Sequence, residues 1–157
     1  LLVETYPDLH ARVLDLPAVV DIARKLISDS AARDRIELVP GDMFNDEFGA
    51  DYDAVLMSGV LHRTEGDGLS AMIKKGADAL VPGGILAVSD LFTGRPDPGP
   101  VLPELFSLHM LVTAEAGRSL PLPEMESIYN DAGLDLSQVI PYPAPLPHTL
   151  CIGVKRK

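Results

Sequence analysis

Three strand ends between Ile36 and Asp90 constrain this chain more than any other feature. A short apolar strand stops at Gly41-Asp42-Met43-Phe44 and a second at Ser58-Gly59-Val60-Leu61-His62. A third is launched by Val81-Pro82-Gly83-Gly84 and runs toward Asp90. Each stops where a polar or reactive side chain appears. In an open parallel sheet, ligands bind outside the carboxyl ends of the strands. The pattern therefore points to a small-molecule enzyme on an α/β sheet.

The remaining segments supply the layers of that sheet. Leu1 to Tyr6 reads as the last turn or two of a helix closed by Pro7, followed by a strand from Ala11 to Leu16. Pro17 suits the first turn of a helix to about Ser28, with Val19, Ile22, Ala23, Leu26 and Ile27 at helical spacing. Strands are predicted over Arg35 to Val39 and Asp53 to Ser58, and the unbroken apolar character of the second predicts a sheet covered on both faces. Asp67 to Leu80 carries the stripe of an amphipathic helix. Pro82-Gly83-Gly84 then turns it into the strand Ile85 to Ser89, and Thr93 to Pro100 is a proline-rich loop. Helices are predicted over Leu102 to Thr113 and Pro123 to Ala132. Two strands follow, Leu136 to Pro141 and Thr149 to Val154, joined by the proline-rich Tyr142 to Pro147. Strand, helix, strand with short connections predicts a doubly wound sheet, and the two late strands predict an antiparallel hairpin at one edge.

Composition excludes several partners. With 157 residues and 46% of them hydrophobic, the chain has the size and core of one α/β domain. A formal charge of -10 argues against nucleic acid, whose binding needs clustered Lys and Arg. The basic Lys155-Arg156-Lys157 reads as a solvated tail. One cysteine, Cys151, rules out an intrachain disulfide and fits a cytoplasmic setting. No apolar run is long enough to cross a bilayer, and no histidine or cysteine pair has ligand spacing, so neither a membrane nor a metal is expected.

Two acids close consecutive strands. Asp15, in Val13-Leu14-Asp15-Leu16-Pro17, can accept hydrogen bonds from the vicinal hydroxyls of a ribose, or can cap the helix that starts at Pro17. Asp42 can accept from an adenine amine while Met43 and Phe44 pack on the base, or can belong to an ordinary turn. One acid per consecutive strand end favours a nucleoside.

In these residues, in the Tyr52-Asp53-Ala54-Val55-Leu56 strand leading to Leu61-His62, in Leu80-Val81-Pro82-Gly83-Gly84 and in Gly117-Arg118, the chain resembles the class I S-adenosylmethionine-dependent O-methyltransferases of the plant phenolic, bacterial polyketide and acetylserotonin group. The resemblance implies a Rossmann-like methyltransferase sheet with S-adenosyl-L-methionine as cofactor. It implies a ribose contact at Asp15 and Leu16, adenine recognition at Asp42, Met43 and Phe44, and a general base at His62 with Asp90 as an orienting acid. It places Ser58 near the cofactor, where some members carry a lysine, and Phe106, His109 and Met110 along the acceptor pocket. The spacing of Phe106 and Met110 fits a core pair equally well. The acceptor is expected to be a small hydroxylated, aromatic or polyketide-like molecule, and the protein a cytoplasmic homodimer through an amino-terminal domain.

Departures from the pattern are specific. Arg63 and Thr64 stand where the family usually has an aspartate and often a tryptophan, and Ser119 where it has a further orienting acid. A strand ending in a glycine-rich turn is expected upstream of Leu1, and no such run is present. That strand belongs between those ending at Asp15 and Ser58, so its loss predicts a divided sheet, in a chain that is a partial catalytic domain and that alone is expected to be inactive. Competing functions are a different cofactor-assisted reaction on the same fold, such as hydroxylation or decarboxylation, and a noncatalytic assembly partner. A nicotinamide dehydrogenase fits least.

Overall fold

The structure is a computed structural model that describes residues 1–64, 66–94, 101–113, 117–143 and 145–157. It divides into two compact units, Leu1–Phe48 and Gly49–Lys157. The first contains helix α1 (Leu2–Thr5), strand β1 (Ala11–Asp15), helix α2 (Pro17–Ile27), a 3-10 turn (Arg33–Arg35) and strand β2 (Ile36–Pro40). β1 and β2 are parallel and pair from Ala11 with Ile36 to Asp15 with Pro40. Pro17 starts α2, where its missing N–H costs nothing. Arg35 Nη1 donates to the carbonyls of Tyr6 (3.1 Å) and Leu9 (2.9 Å), tying the entering segment to this ribbon.

The apolar stripe expected on α2 is buried along one row only. Val20 is fully buried, whereas Val19, Ile22 and Leu26 are exposed. A two-stranded ribbon is too narrow to cover the broad apolar stripe of a helix.

The second unit holds β3 (Tyr52–Ser58), a 3-10 turn (Leu61–Arg63), α3 (Gly66–Asp78), β4 (Leu80–Asp90), α4 (Leu102–Thr113), α5 (Leu122–Asp131), β5 (Leu134–Pro141) and β6 (Thr149–Lys155). Its sheet runs β3-β4-β6-β5. β3 and β4 are parallel, while β6 is antiparallel to both β4 and β5, so the late hairpin lies at one edge as predicted. Among the described residues the strands form two sheets, with β1 and β3 each paired on one side only, the division the sequence predicts. No helix among them is long and apolar enough to cross a membrane.

The core of this unit lies where α3 and α5 cover the sheet. Leu69, Met72, Ile73 and Ala77 of α3 are buried, as are Met57 and Leu86 on the strands. Gly76 permits the close approach: a Cβ there would stand 2.6 Å from Met57 Cε. Tyr129 of α5 is fully buried and donates its hydroxyl to the Cys151 carbonyl at 3.2 Å. Burial pushes the Cys151 thiol up to about 12 and the Tyr129 phenol further, so both stay neutral in the core.

Two boundaries differ from expectation. α3 ends at Asp78 because Tyr52 N donates to the Ala79 carbonyl (3.0 Å) and Leu80 already pairs with Tyr52. Pro82-Gly83-Gly84 is therefore no connection before a strand but an irregularity within β4. The register jumps from Tyr52–Leu80 to Ala54–Ile85, and Gly83, at φ +82°, absorbs the distortion. Thr93, expected in a loop, makes an isolated parallel bridge with Pro121. The rest of that loop, 95–100, residues 114–116 before Gly117-Arg118, and Ala144 in the late proline-rich connection lie outside the described residues.

Gly153→Ala tests the packing of α5 on β6, since the new methyl would lie 2.6 Å from Tyr129 Cδ2 and 2.7 Å from Cε2. A loss of about 1–3 kcal/mol in denaturant unfolding is expected, as for other overpacked cores.

Candidate active site

β3 ends at Ser58, and Gly59 carries the chain out of the sheet. Gly59 N donates to the Ser89 carbonyl at 2.9 Å, and its φ of +64° is one that side-chain-bearing residues rarely adopt. After Val60, Leu61–Arg63 coil into the 3-10 turn that carries His62. Leu61 is buried and anchors this turn. β4 ends beside it in Asp90, which is 3% exposed.

The Asp90 carboxylate binds three groups. Oδ2 accepts the Leu61 N–H at 3.0 Å, and Oδ1 accepts the Leu91 N–H at 2.8 Å. The third partner is His62 Nδ1, 3.0 Å from Oδ1. A carboxylate only accepts, so in the neutral imidazole Nδ1 carries the hydrogen and Nε2 keeps a lone pair. The Phe106 ring of α4 stands edge-on to His62, with centroids 5.0 Å apart at 87°, and His109 lies 6.3 Å beyond Phe106. The arrangement is an imidazole oriented by a buried carboxylate beside an aromatic ring.

In the first unit, Asp15 and Asp42 lie at neighbouring ends of β1 and β2, where Gly41 N donates to the Asp15 carbonyl at 2.8 Å. Asp15 does not cap α2: the N-cap is Leu16, and among the described residues Asp15 Oδ1 takes the Leu16 N–H at 2.8 Å alone. Asp42 Oδ1 accepts the Phe44 N–H (2.9 Å) and Oδ2 accepts Asn45 Nδ2 (2.7 Å). Each carboxylate offers about four lone-pair sites, so both retain acceptor capacity. Gly41 packs closely here: a Cβ would stand 2.7 Å from Leu14 Cδ1 and 2.9 Å from Asp46 Oδ2, so either side chain would have to shift.

The structure thus brings His62, Asp90, Phe106 and His109 together in one unit, and Asp15, Leu16, Asp42, Met43 and Phe44 at one end of the other. Ser58 is exposed at the end of β3, paired with Ser89. Met110 is half-buried, as is Phe106, so the pair is not a core pair. Ser119 is buried and donates to the Pro103 carbonyl at 3.2 Å, fastening the start of α4 instead of contacting His62. Sequence reasoning missed Asp46, whose Oδ2 accepts the Asp42 N–H at 2.7 Å while its own N–H donates to the Asp42 carbonyl at 2.8 Å. The signal was an acid four residues after Asp42.

The second unit thus presents a histidine held by a buried carboxylate at strand ends, and the first presents two acids at the ends of a parallel βαβ ribbon. The sequence matches the O-methyltransferase domain family over residues 1–135, and the chain belongs to that family. It is 29% identical to an L-tyrosine C(3)-methyltransferase of Streptomyces lavendulae, over 98% of this chain and 43% of that protein. It is 31% identical to a 3-hydroxy-5-methyl-1-naphthoate 3-O-methyltransferase of Streptomyces sahachiroi, over 96% of this chain and 43% of that one. Among solved structures, an O-methyltransferase family 2 protein of Planctomyces limnophilus in complex with apigenin matches at a TM-score of 0.86 and 30% identity, covering 98% of this chain and 45% of that one. The chain spans less than half the length of these relatives.

Asp90→Asn leaves one oxygen where two serve three donors and turns an amide N–H toward one of them. A loss of roughly 1–3 kcal/mol in stability is expected from the unsatisfied buried group. Denaturant midpoints of the two forms check this.

Proposed function

We propose that this chain is part of the catalytic domain of a methyltransferase that uses S-adenosyl-L-methionine to methylate a small hydroxylated aromatic or polyketide-like acceptor, with His62 as general base. The observation that carries the reading is the 3.0 Å contact of His62 Nδ1 with buried Asp90, in a chain of this family. When bound, the cofactor supplies an electrophilic sulfonium methyl group.

The chain's own residues then have distinct tasks. Asp15 and Asp42 offer acceptor lone pairs to a ribose and an adenine amine, with Met43 and Phe44 beside the base. Phe106, His109 and Met110 wall the acceptor. A phenol of pKa about 10 is a weak nucleophile at neutral pH, and His62 Nε2 takes its proton as the oxygen attacks. The resulting imidazolium is held against the Asp90 carboxylate. Such a base contributes roughly 100- to 10,000-fold.

A second reading follows from the relative named an L-tyrosine C(3)-methyltransferase. Ionising a phenol raises electron density on its oxygen and on its ortho carbons alike. The same histidine therefore serves methyl transfer to carbon, and product analysis separates the two. The homodimer and the cytoplasmic setting belong to this proposal as well.

His62→Ala in the complete enzyme is expected to lower turnover about 100-fold or more while cofactor affinity stays nearly unchanged. Full activity would overturn His62 as the base, and loss of cofactor binding would make it structural. Asp15→Ala and Asp42→Ala are expected to weaken cofactor binding by about 0.5–1.5 kcal/mol each, or up to about 3 for a charged, desolvated bond. Unchanged affinity in both, measured by calorimetric titration, would overturn the nucleoside assignment.

A further inference from the structure

Thr149 opens β6 directly opposite Asp90 in the antiparallel β4–β6 register. Residues so paired project to the same face of a sheet, with Cβ atoms about 4.5–5.5 Å apart. Thr149 is 1% exposed, and among the described residues its Oγ1 is buried without a hydrogen-bond partner. Across from it, among the described residues Asp90 Oδ1 is filled by His62 Nδ1 and Leu91 N–H, while Oδ2 takes the Leu61 N–H alone. A carboxylate oxygen accepts two bonds. A buried donor without an acceptor therefore faces a buried acceptor with one lone pair to spare.

We propose that Thr149 is a positioning residue for the His62–Asp90 pair, its hydroxyl turning about χ1 to donate to Asp90 Oδ2. Four donors then surround the carboxylate, and Oδ1 stays aimed at Nδ1. Ser119 cannot take this part, because its hydroxyl is committed to the Pro103 carbonyl. The catalytic consequence rests on the reading of His62 as the base; the contact itself does not.

Among the described residues, the charged and titratable groups next to His62 are Asp90 on β4, Arg63 following it in the 3-10 turn, and His109 on α4 behind Phe106. From β6, Thr149 and Leu150 bring no charge, and His148 is turned against Tyr142, 6.1 Å between ring centroids. Thr149→Val removes the hydroxyl and keeps the shape. Losing a donor to Asp90 strengthens the carboxylate's hold on imidazolium and raises the His62 midpoint, whereas a merely more apolar surrounding lowers it. The sign separates the two.

The test is the His62 ring-proton NMR titration in the complete protein, assigned with His62→Ala. Thr149→Val is expected to shift the midpoint up by about half a pH unit, and Thr149→Ser to keep the wild-type value. An unchanged or lowered midpoint in Thr149→Val overturns the proposal. Thr149→Ala carries the same expectation and decides the matter if the valine form does not fold. The titration needs no acceptor or cofactor. Full turnover in His62→Ala would therefore refute the base while leaving the Thr149–Asp90 contact to stand or fall separately.

Discussion

The Asp90 carboxylate is the group on which the strand-end site of the second unit depends. Its oxygens receive Leu61 N–H, Leu91 N–H and His62 Nδ1, so one buried side chain joins the end of β4 to the turn that follows β3. An unpaired buried anion is costly, and removing one partner of a buried pair leaves the other stranded. Here the two backbone donors serve the carboxylate independently of the imidazole. The histidine is therefore added to an anion already held in place, and its tautomer follows from that anion.

Backbone devices deliver the partners to that point. Gly59 adopts a left-handed conformation one residue after β3, which lets the 3-10 turn fold back beside β4. On the other side, Thr93 N donates to the Leu120 carbonyl (3.1 Å) and Leu122 N to the Thr93 carbonyl (2.8 Å), fixing the segment that leaves Asp90. Ser119, next to Leu120, fastens the start of α4 through Pro103, and α4 brings Phe106 to the imidazole. Two short runs, Leu91–Gly94 and Ser119–Leu122, thus link the acid to the helix that walls the base.

The elements around the site were legible because their signals are local. Apolar runs that stop at Asp15, Asp42, His62 and Asp90 mark strand ends, and Pro17 marks a helix start. What was not legible depends on partners distant in sequence. The buried row of α2 is Val20 alone, which follows from the width of a two-stranded ribbon and not from helical periodicity. The irregularity at Val81–Gly84 arises from pairing between Leu80 and Tyr52, 28 residues apart by their numbers. Thr149 meets Asp90 only through β6 register, so nothing in Leu146-Pro147-His148-Thr149 announces it. The two roles weighed for Asp15 shared one residue pattern, and only the hydrogen bond to Leu16 rather than to a helical N–H removed the cap.

The departures from the family pattern reinforce one another. With Ser119 in place of an acid, and its hydroxyl bound to a backbone carbonyl, the imidazole faces one orienting carboxylate among the described residues. Arg63, next along the turn, adds a cation where an acid would add a second acceptor. A lone carboxylate carries the whole burden of fixing the ring, so its own orientation must be set tightly. The two backbone N–H bonds do most of this, since backbone donors at 2.8 and 3.0 Å cannot swing away as side chains do. Orientation of the imidazole is concentrated in the joint between β4 and the turn after β3. Disturbing that joint therefore moves the imidazole even when His62 itself is untouched.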